Sequence, residues 1–391
     1  MSDSPTPDTK AAEKGKKLTG STKSTWLSFL KSIATFTGDL SSLTAPSFIL
    51  SSTSLIEYTA YWAEHPQLFI SLPNGKTALE RHVLVTKWFA STLKNQYAGR
   101  NERYGTEKKP LNPILGEEFI GKWATQCGDT RLVAEQVSHH PPISAYCIYN
   151  KKCGIRLEGY NGNKSSFTGP HIHVRQTGHA RLTLENLNEV YYITFPMVVL
   201  EGLWYGAPYI ELSKKSYIFS NTGYMSTIEY SGRGYFTGKR NTFKASISEL
   251  GRKTEPLYQI NGSWTGQLYI KDCSLGKEAE PELFLDCKNF KPINIQVAPI
   301  EEQSDLESRK IWHDVAVALD SGDYSTASRE KSVIEERQRA LRKQEKANEE
   351  PWKTRYFNWC SEDREFASLS SKCLKHPFIE GYWQFTDAES N

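Results

Sequence analysis

The chain has 391 residues, a formal net charge of +3 and 12% aromatic residues. So small a net charge gives no general preference for nucleic acid, and any anion site has to be a local cluster of charges. Seven scattered cysteines without a Cys-x-x-Cys pair indicate free thiols rather than a disulfide framework or a zinc site. We find no secretory apolar segment and no apolar run of about 18 residues, so we expect membrane contact to be peripheral and reversible.

The first 45 residues divide into a polar tail and an amphipathic helix. Residues 1–23 are rich in Ser, Thr, Lys and Asp, which predicts a disordered tail. Residues 24–45 carry apolar side chains at helical spacing, opposite a face made mostly of Ser and Thr. These side chains are Trp26, Phe29, Leu30 and Ile33. The pattern fits a small helix packed on the domain, or a lid that covers a cavity and also lies in a membrane interface.

Hydrophobic periodicity divides the rest of the chain into three parts. Residues 46–104 predict mostly helices, which would plug the end of a barrel. From Phe119 to about Asp272 the apolar period changes to two, with Asn/Gly turns and no intervening helices, which predicts an antiparallel meander. Residues 299–391 become helical again. We therefore expect an α+β fold whose sheet, about 110–298, forms a large barrel or two stacked sheets.

Two stretches within this sheet stand out. Residues 135–142 read Glu-Gln-Val-Ser-His-His-Pro-Pro, and residues 109–117 read Lys-Pro-Leu-Asn-Pro-Ile-Leu-Gly-Glu. The apolar run before the first stretch predicts a strand that ends at His139 and His140, and the two prolines fix the backbone just after them. Two imidazoles fixed at a strand end are suited to bind an anion, a metal ion or a substrate.

A charged stripe is predicted on the helix from Ser325 to about Glu345. Lys331, Glu335 and Arg339 are spaced i, i+4 and i+8, so they lie along one side of the helix. Taken alone, the simplest interpretation is a solvated helix face with one i,i+4 ion pair.

The two motifs resemble the signatures of the oxysterol-binding-protein family of lipid-transfer proteins, and residues 24–360 resemble its short, single-domain fungal members. The resemblance implies a large antiparallel barrel that encloses a lipid tunnel under the N-terminal lid, within a lipid-binding domain of residues 46–391. It also implies that the histidines, the Leu-Asn-Pro motif and the charged stripe together bind the headgroup of phosphatidylinositol 4-phosphate. The corresponding residues are Lys109, Leu111, Asn112, His139, His140, Lys331, Glu335 and Arg339.

The resemblance implies a second ligand, a sterol and in a fungus ergosterol, in the same tunnel. One or two polar groups in an apolar sleeve suffice for a sterol. The implied contacts are Trp62, Gln96, Tyr97, Asn161 and Gln176, and Ile33, Leu40 and Leu43 of the lid are candidates for contact with the sterol. The predicted lid consists of Trp26, Phe29, Leu30, Ile33, Leu40 and Leu43. From the residues alone, Trp62 and Tyr97 are equally ordinary core residues and Asn161 a turn residue. Because acyl chains would fill the same sleeve, the two lipids should exclude each other and be exchanged between membranes.

Other classes of function stay open. His139, His140 and Glu135 suggest an enzyme or a metal site, but we find no His-x-x-x-His spacing and no Gly-x-Ser-x-Gly elbow, so we expect no catalysis, cofactor or metal. A sensor that binds sterol or phosphoinositide without transporting it, and regulates Golgi trafficking, fits the same residues, as does an exchanger of phosphatidylserine. We expect a monomer without nucleic-acid partners, in the cytoplasm and transiently on Golgi and endoplasmic reticulum membranes.

Overall fold

The computed structural model describes residues 20–36, 40, 43, 45–232, 239–252, 255–374 and 381–386. The α-helices are α1 (Gly20–Thr35), α2 (Pro66–Ile70), α3 (Ala78–Tyr104), α4 (Ser308–Ile311), α5 (His313–Ser321), α6 (Tyr324–Asn348) and α7 (Arg364–Ser370). Short 3-10 helices span Ser47–Ile49, Leu55–Ala63, Leu72–Asn74, Glu185–Leu187, Leu203–Tyr205, Cys273–Leu275 and Ile300–Glu302. None of the described helices is both long and apolar enough to cross a bilayer.

The strands begin after the first helices. They are β1 (Leu50–Ser54), β2 (Lys109–Leu111), β3 (Glu118–Thr125), β4 (Gly128–His139), β5 (Pro142–Asn150), β6 (Ile155–Thr168), β7 (His171–Thr177), β8 (His179–Leu184), β9 (Glu189–Thr194), β10 (Met197–Glu201), β11 (Tyr209–Ser213), β12 (Lys215–Ser220), β13 (Tyr224–Ser231), β14 (Thr242–Glu249), β15 (Tyr258–Ser263), β16 (Gln267–Asp272), β17 (Glu282–Asp286), β18 (Phe357–Cys360) and β19 (Tyr382–Phe385). In the described part of the chain, β3–β17 form one antiparallel sheet of 15 strands. The predicted α+β fold with a large antiparallel sheet is confirmed.

The sheet branches at Gly178, where β7 gives way to β8. Both strands keep one register against β6, because Thr177 pairs with Gly162 and Ala180 pairs with Gly159. Gly178 interrupts them at φ 98°, and a Cβ there would lie 2.2 Å from the carbonyl oxygen of Tyr160. Only glycine fits such a position. On the side away from β6 the two strands have different pairing partners, since β7 pairs with β10 whereas β8 pairs with β9.

The described sheet has three edge strands, β3, β11 and β17, and the segment that follows β17 links back to β3. Lys122 in β3 and Gln296 exchange two backbone hydrogen bonds, both of 2.9 Å. This contact is a single bridge rather than a ladder. The described sheet is therefore barrel-like around its interior without strand pairing around the whole circumference.

Helix α3 fills one end of this interior. The Thr77 hydroxyl caps its first turn by accepting from the Glu80 N–H at 3.1 Å, and Gly105 ends the helix in the left-handed conformation. Its buried face, with Trp88 and Phe89, belongs to the same apolar core as the inner side chains of the strands. Helix α3 therefore has the plugging position that its periodicity predicts.

The predicted helical run over residues 46–104 is wrong at its start. Leu50–Ser54 is a strand that pairs in parallel with β2, with Leu50 opposite Lys109. This pairing joins segments that are far apart in the sequence, so local periodicity does not reveal it. The helix α1 also begins at Gly20, four residues before the predicted lid, whereas residues 1–19 of the predicted tail lie outside the described residues.

The C-terminal part covers the outside of the sheet. Phe357 is fully buried against Tyr149 and Tyr160, and Phe366 packs with Tyr192 and Phe219. Helices α5 and α6 form a separate apolar cluster with the segment from β2 to Ile114. This arrangement brings the predicted charged stripe of α6 next to the Lys-Pro-Leu-Asn-Pro motif.

Candidate functional site

A cavity of about 310 Å³ lies inside the sheet. Its wall is largely apolar, and it contains every residue predicted for sterol contact, namely Trp62, Gln96, Tyr97, Asn161 and Gln176. The lid side contributes Trp26, Phe29, Ile33, Leu40 and Leu43, and the Leu-Asn-Pro motif contributes Lys109, Leu111 and Asn112. The cavity wall thus contains the residues predicted for sterol contact and three of those predicted for the headgroup, whereas His139, His140, Lys331, Glu335 and Arg339 do not line it.

A small hydrogen-bonded group of Tyr97, Asn161 and Gln176, called the floor below, lines the tunnel close to Gly178. Gln176 Nε2 donates to the Tyr97 hydroxyl at 3.0 Å and to the carbonyl of Pro196 at 2.8 Å. Asn161 Nδ2 donates to Gln176 Oε1 at 3.0 Å. Asn161 Oδ1 is buried and has no hydrogen-bond partner among the described residues. The floor therefore offers an acceptor to a hydroxyl group that reaches it.

Burial around the floor keeps Tyr97 neutral. Desolvation raises the pKa of Tyr97 to about 12, although its hydrogen bond with Gln176 acts in the opposite direction. Trp62 lies nearby in an aromatic cluster, with its ring centroid 5.5 Å from Trp88 and 6.1 Å from Tyr146. Trp62 thus belongs both to the apolar core and to the tunnel wall, and its contact with a sterol stays a prediction.

The N-terminal helix α1, predicted to be the lid, packs against one side of the tunnel. Trp26 Nε1 donates to the carbonyl oxygen of Leu203 at 3.1 Å, and both side chains are buried. Leu30, predicted to belong to the lid, is also buried, but it packs in a cluster with Trp26 and Leu203 and does not line the cavity. The lid is therefore fixed mainly to the turn between β10 and β11.

The two histidines lie at the end of β4, as the sequence predicts. The His139 and His140 rings are 4.6 Å apart, and His139 Nδ1 donates to the carbonyl oxygen of Pro113 at 3.2 Å. This hydrogen bond joins the two sequence motifs. It engages Nδ1 of His139 and does not engage Nε2. Burial, followed by the neighbouring His140, lowers the pKa of His139, which favours the neutral imidazole at pH 7.

Two lysines from distant parts of the chain meet beside the histidines. Burial lowers the pKa of Lys109, the positive charge of Lys331 lowers it further, and Glu335 partly offsets both effects. Lys331 and Glu335 form the i,i+4 ion pair that their spacing predicts. Arg339 lies further along α6 with an exposed side chain. The structure therefore joins Lys109, Lys331 and Glu335 closely and places Arg339 at the rim.

Arg342 is a neighbour of this cluster that the sequence prediction missed. Its charge contributes to the lowered pKa of His139, and its Nε and Nη1 atoms are buried without a partner among the described residues. The guanidinium also pairs with Glu345 at 2.8 Å. Helical geometry gives the signal that was overlooked, because at about 100° per residue Arg342 falls within about 20° of both Lys331 and Glu335.

Two glutamates of the motifs have structural roles. The Glu117 carboxylate accepts hydrogen bonds from Ser54 Oγ at 2.6 Å and from Trp312 Nε1 at 2.9 Å. Glu135 accepts from the backbone N–H groups of Arg355 and Tyr356 at 2.9–3.0 Å. These carboxylates therefore attach the motifs to the helices and to the C-terminal layer. No group of three potential metal ligands occurs in the ranges that the structure describes.

Comparisons with known proteins agree with this geometry. A family model described as oxysterol-binding protein matches residues 25–320 and 313–387. The chain is 68% identical over 379 residues to Protein kes1 of Schizosaccharomyces pombe, covering 97% of each chain. It is 48% identical over 364 residues to Protein KES1 of Mycosarcoma maydis, covering 91% of this chain and 94% of the relative. The fold and the site define a protein with an internal lipid-sized tunnel, and the chain belongs to the oxysterol-binding protein family, as a member of the single-domain fungal type.

Solved structures support the fold at lower sequence identity. The Osh1 ORD domain in complex with cholesterol superposes with a TM-score of 0.71 at 22% identity, covering 92% of this chain and 86% of that chain. The Osh3 ORD in complex with PI(4)P from Saccharomyces cerevisiae gives a TM-score of 0.68 at 21% identity, covering 92% and 89%.

Proposed function

We propose that the protein binds a sterol or phosphatidylinositol 4-phosphate, one at a time, in the lidded tunnel and exchanges the two lipids between membranes. The observation that carries this proposal is that a single tunnel combines a polar floor with a cationic mouth. Lys109 connects the tunnel with the cationic cluster, since it lines the tunnel wall and is close to Lys331. We also propose residues 24–45 as the lid and residues 46–391 as one lipid-binding domain.

The floor suits the single hydroxyl of a sterol. An otherwise apolar sleeve with one convergent polar group is what a largely hydrocarbon ligand requires. Asn161 Oδ1 supplies the acceptor, while Gln176 and Tyr97 hold the asparagine in place. The related structures that contain cholesterol and ergosterol support this class of ligand. In a fungal protein we expect ergosterol.

The mouth suits a phosphomonoester. Such a group carries nearly two negative charges and accepts several hydrogen bonds, so it is bound well by ammonium and guanidinium groups. Lys109 and Lys331 supply point charges, and an exposed Arg339 would bind the phosphate as a fork. The imidazoles of His139 and His140 donate once the dianion favours their protonated forms. The relative solved with PI(4)P supports this headgroup.

The remaining members of the predicted headgroup site contribute backbone N–H groups or orient a charged side chain. Leu111 and Asn112 follow Lys109 along the tunnel wall, where their backbone N–H groups are suited to the inositol phosphate. Glu335 orients Lys331 through their ion pair. In this arrangement the headgroup lies at the mouth and its acyl chains extend inward.

Mutual exclusion follows from the size of the tunnel. A sterol skeleton and a pair of acyl chains would occupy the same apolar volume of about 310 Å³. Two membranes with different contents of the two lipids then drive transport in opposite directions without any covalent step. We propose that the protein does this as a monomer in the cytoplasm, bound peripherally and transiently to Golgi and endoplasmic reticulum membranes.

Native mass spectrometry of the protein after incubation with mixed liposomes tests the proposal. The liposomes contain ergosterol, phosphatidylinositol 4-phosphate and phosphatidylserine in phosphatidylcholine. We expect one bound lipid per protein, either ergosterol or the phosphoinositide, and never both. Simultaneous binding would contradict exchange and indicate a sensor with two sites, and phosphatidylserine in place of the sterol would change the cargo.

A further inference from the structure

Two exposed aromatic side chains lie on the turn that connects β10 and β11. Trp204 is 51% exposed and Tyr205 is 92% exposed. They belong to the short 3-10 helix that starts at Leu203, and Gly202 and Gly206 bracket it at φ 74° and 69°. Glycine adopts these positive φ angles without steric cost, so Gly202 and Gly206 allow the chain to take this turn shape. That shape keeps two large rings in solvent, which is unfavourable unless the rings have a partner.

The same turn holds the lid. Leu203 is buried, lines the tunnel and accepts the hydrogen bond from Trp26 Nε1 at 3.1 Å. On the lid, Leu27 follows Trp26 directly but is 47% exposed. The turn and the lid therefore have the same arrangement. The buried residues Leu203 and Trp26 contact each other, and the residues that follow them in sequence, Trp204 and Leu27, are exposed to water.

A lipid bilayer is the partner that fits these rings. Tryptophan and tyrosine favour the interface between membrane and water, where the ring is apolar and its polar atom stays hydrated. Phe167 lies beside Trp204, with ring centroids 6.5 Å apart, and extends the apolar rim to the end of β6. A lipid has to pass between the bilayer and the tunnel mouth, so this rim faces the membrane during transfer.

We propose that Trp204 and Tyr205 insert into the membrane interface and that their insertion releases the lid through Leu203; this inference rests on the proposed lipid exchange. As the rings enter the bilayer, the turn is drawn away from α1. The hydrogen bond between Trp26 and the Leu203 carbonyl then breaks, and the apolar side chains around it are transferred to lipid instead of water. The lid therefore opens more readily at a membrane than in solution.

The docking role is tested by flotation with phosphatidylcholine vesicles that contain ergosterol. The double variant Trp204→Ala/Tyr205→Ala should associate with the vesicles about tenfold or more weakly, because two interfacial anchors are lost. Trp359→Ala is a matched control, since Trp359 is 50% exposed but lies on β18 in the C-terminal layer. This control should bind vesicles like the wild type, and an equal loss in both variants would overturn the assignment.

A vesicle-free measurement separates this inference from the proposed function. Ergosterol is supplied as a cyclodextrin complex, and bound sterol is measured after gel filtration. Wild type and double variant should bind the same amount. If the wild type takes up no sterol here, the proposed function fails. If the wild type takes up sterol and the double variant still floats with vesicles normally, only the docking role of the turn is refuted.

A separate variant tests whether the contact between Trp26 and Leu203 holds the lid. Trp26→Phe removes the Nε1 donor to Leu203 and keeps an aromatic ring in the cluster. Sterol uptake from cyclodextrin should become about 2- to 10-fold faster, the factor that corresponds to one neutral hydrogen bond. Vesicle association should not decrease. An unchanged uptake rate would show that the contact with Leu203 does not hold the lid.

Discussion

Replacing Asn161 by leucine tests the chemistry of the tunnel floor. The change removes the buried Oδ1 acceptor and the donor to Gln176, but it adds apolar surface of similar size. A sterol hydroxyl that reaches this floor would then be buried without its partner, which costs about 1–3 kcal/mol. Ergosterol affinity should therefore fall about 5- to 150-fold. Phosphatidylinositol 4-phosphate should bind Asn161→Leu like the wild type, because its acyl chains need no hydrogen bond at the floor.

The assay is competition between the natural sterol and a ketone analogue that lacks the O–H donor. The wild type should prefer the hydroxyl form, whereas Asn161→Leu should bind the two forms almost equally. Asn163→Leu is the matched control, since Asn163 also lines the tunnel and lies on the same face of β6. That control should keep the preference. Unchanged discrimination in Asn161→Leu, or an equal loss of both lipids, would refute the assignment of the floor.

Four further predictions concern the mouth and the motifs. His139→Ala with His140→Ala should abolish extraction of phosphatidylinositol 4-phosphate from liposomes and spare sterol binding, and equal loss of both lipids would mean that the histidines are structural. Lys109→Ala should weaken phosphoinositide binding alone by about 10- to 100-fold, the loss of one charge-assisted hydrogen bond, whereas an unchanged affinity would remove it from the site. Burial lowers the pKa of His139 and a bound dianion raises it again, so phosphoinositide binding near pH 7 should take up protons. Calorimetry in buffers of different ionisation enthalpy measures this uptake, and binding heats that do not depend on the buffer would contradict it. Glu135→Gln should lower the free energy of unfolding by about 1–3 kcal/mol in denaturant titrations, because the glutamine NH2 group would face the backbone N–H of Arg355 or Tyr356. An unchanged unfolding midpoint would show that the carboxylate is not needed there.

Local patterns in the sequence were sufficient for most elements of the fold. The alternation after Phe119 predicts the strands, and the apolar run before His139 predicts a strand that ends there, which β4 does. What the sequence could not predict depends on distant partners. The strand Leu50–Ser54 exists because it pairs with β2, and the contact between Lys122 and Gln296 joins segments more than 170 residues apart.

The site shows the same division between local and long-range information. The spacing of Lys331 and Glu335 predicts their ion pair, which the structure contains. That Lys109 meets this pair follows from the docking of α6 on β2, and the family resemblance, rather than the spacing, indicated it. Gln176 and Asn161 meet where β6, β7 and β8 adjoin at Gly178, so their contact depends on the pairing of three strands.

The position of the polar floor decides which end of a sterol leaves the protein first. Under the proposed exchange, Asn161 and Gln176 form the inner end of the tunnel and a sterol leaves through the mouth by which it entered. In a bilayer the sterol hydroxyl lies at the surface, and this end would enter the tunnel first and leave it last. The hydrocarbon tail would then enter the acceptor bilayer ahead of the hydroxyl. The molecule would arrive already in its normal bilayer orientation, without having to turn over during transfer.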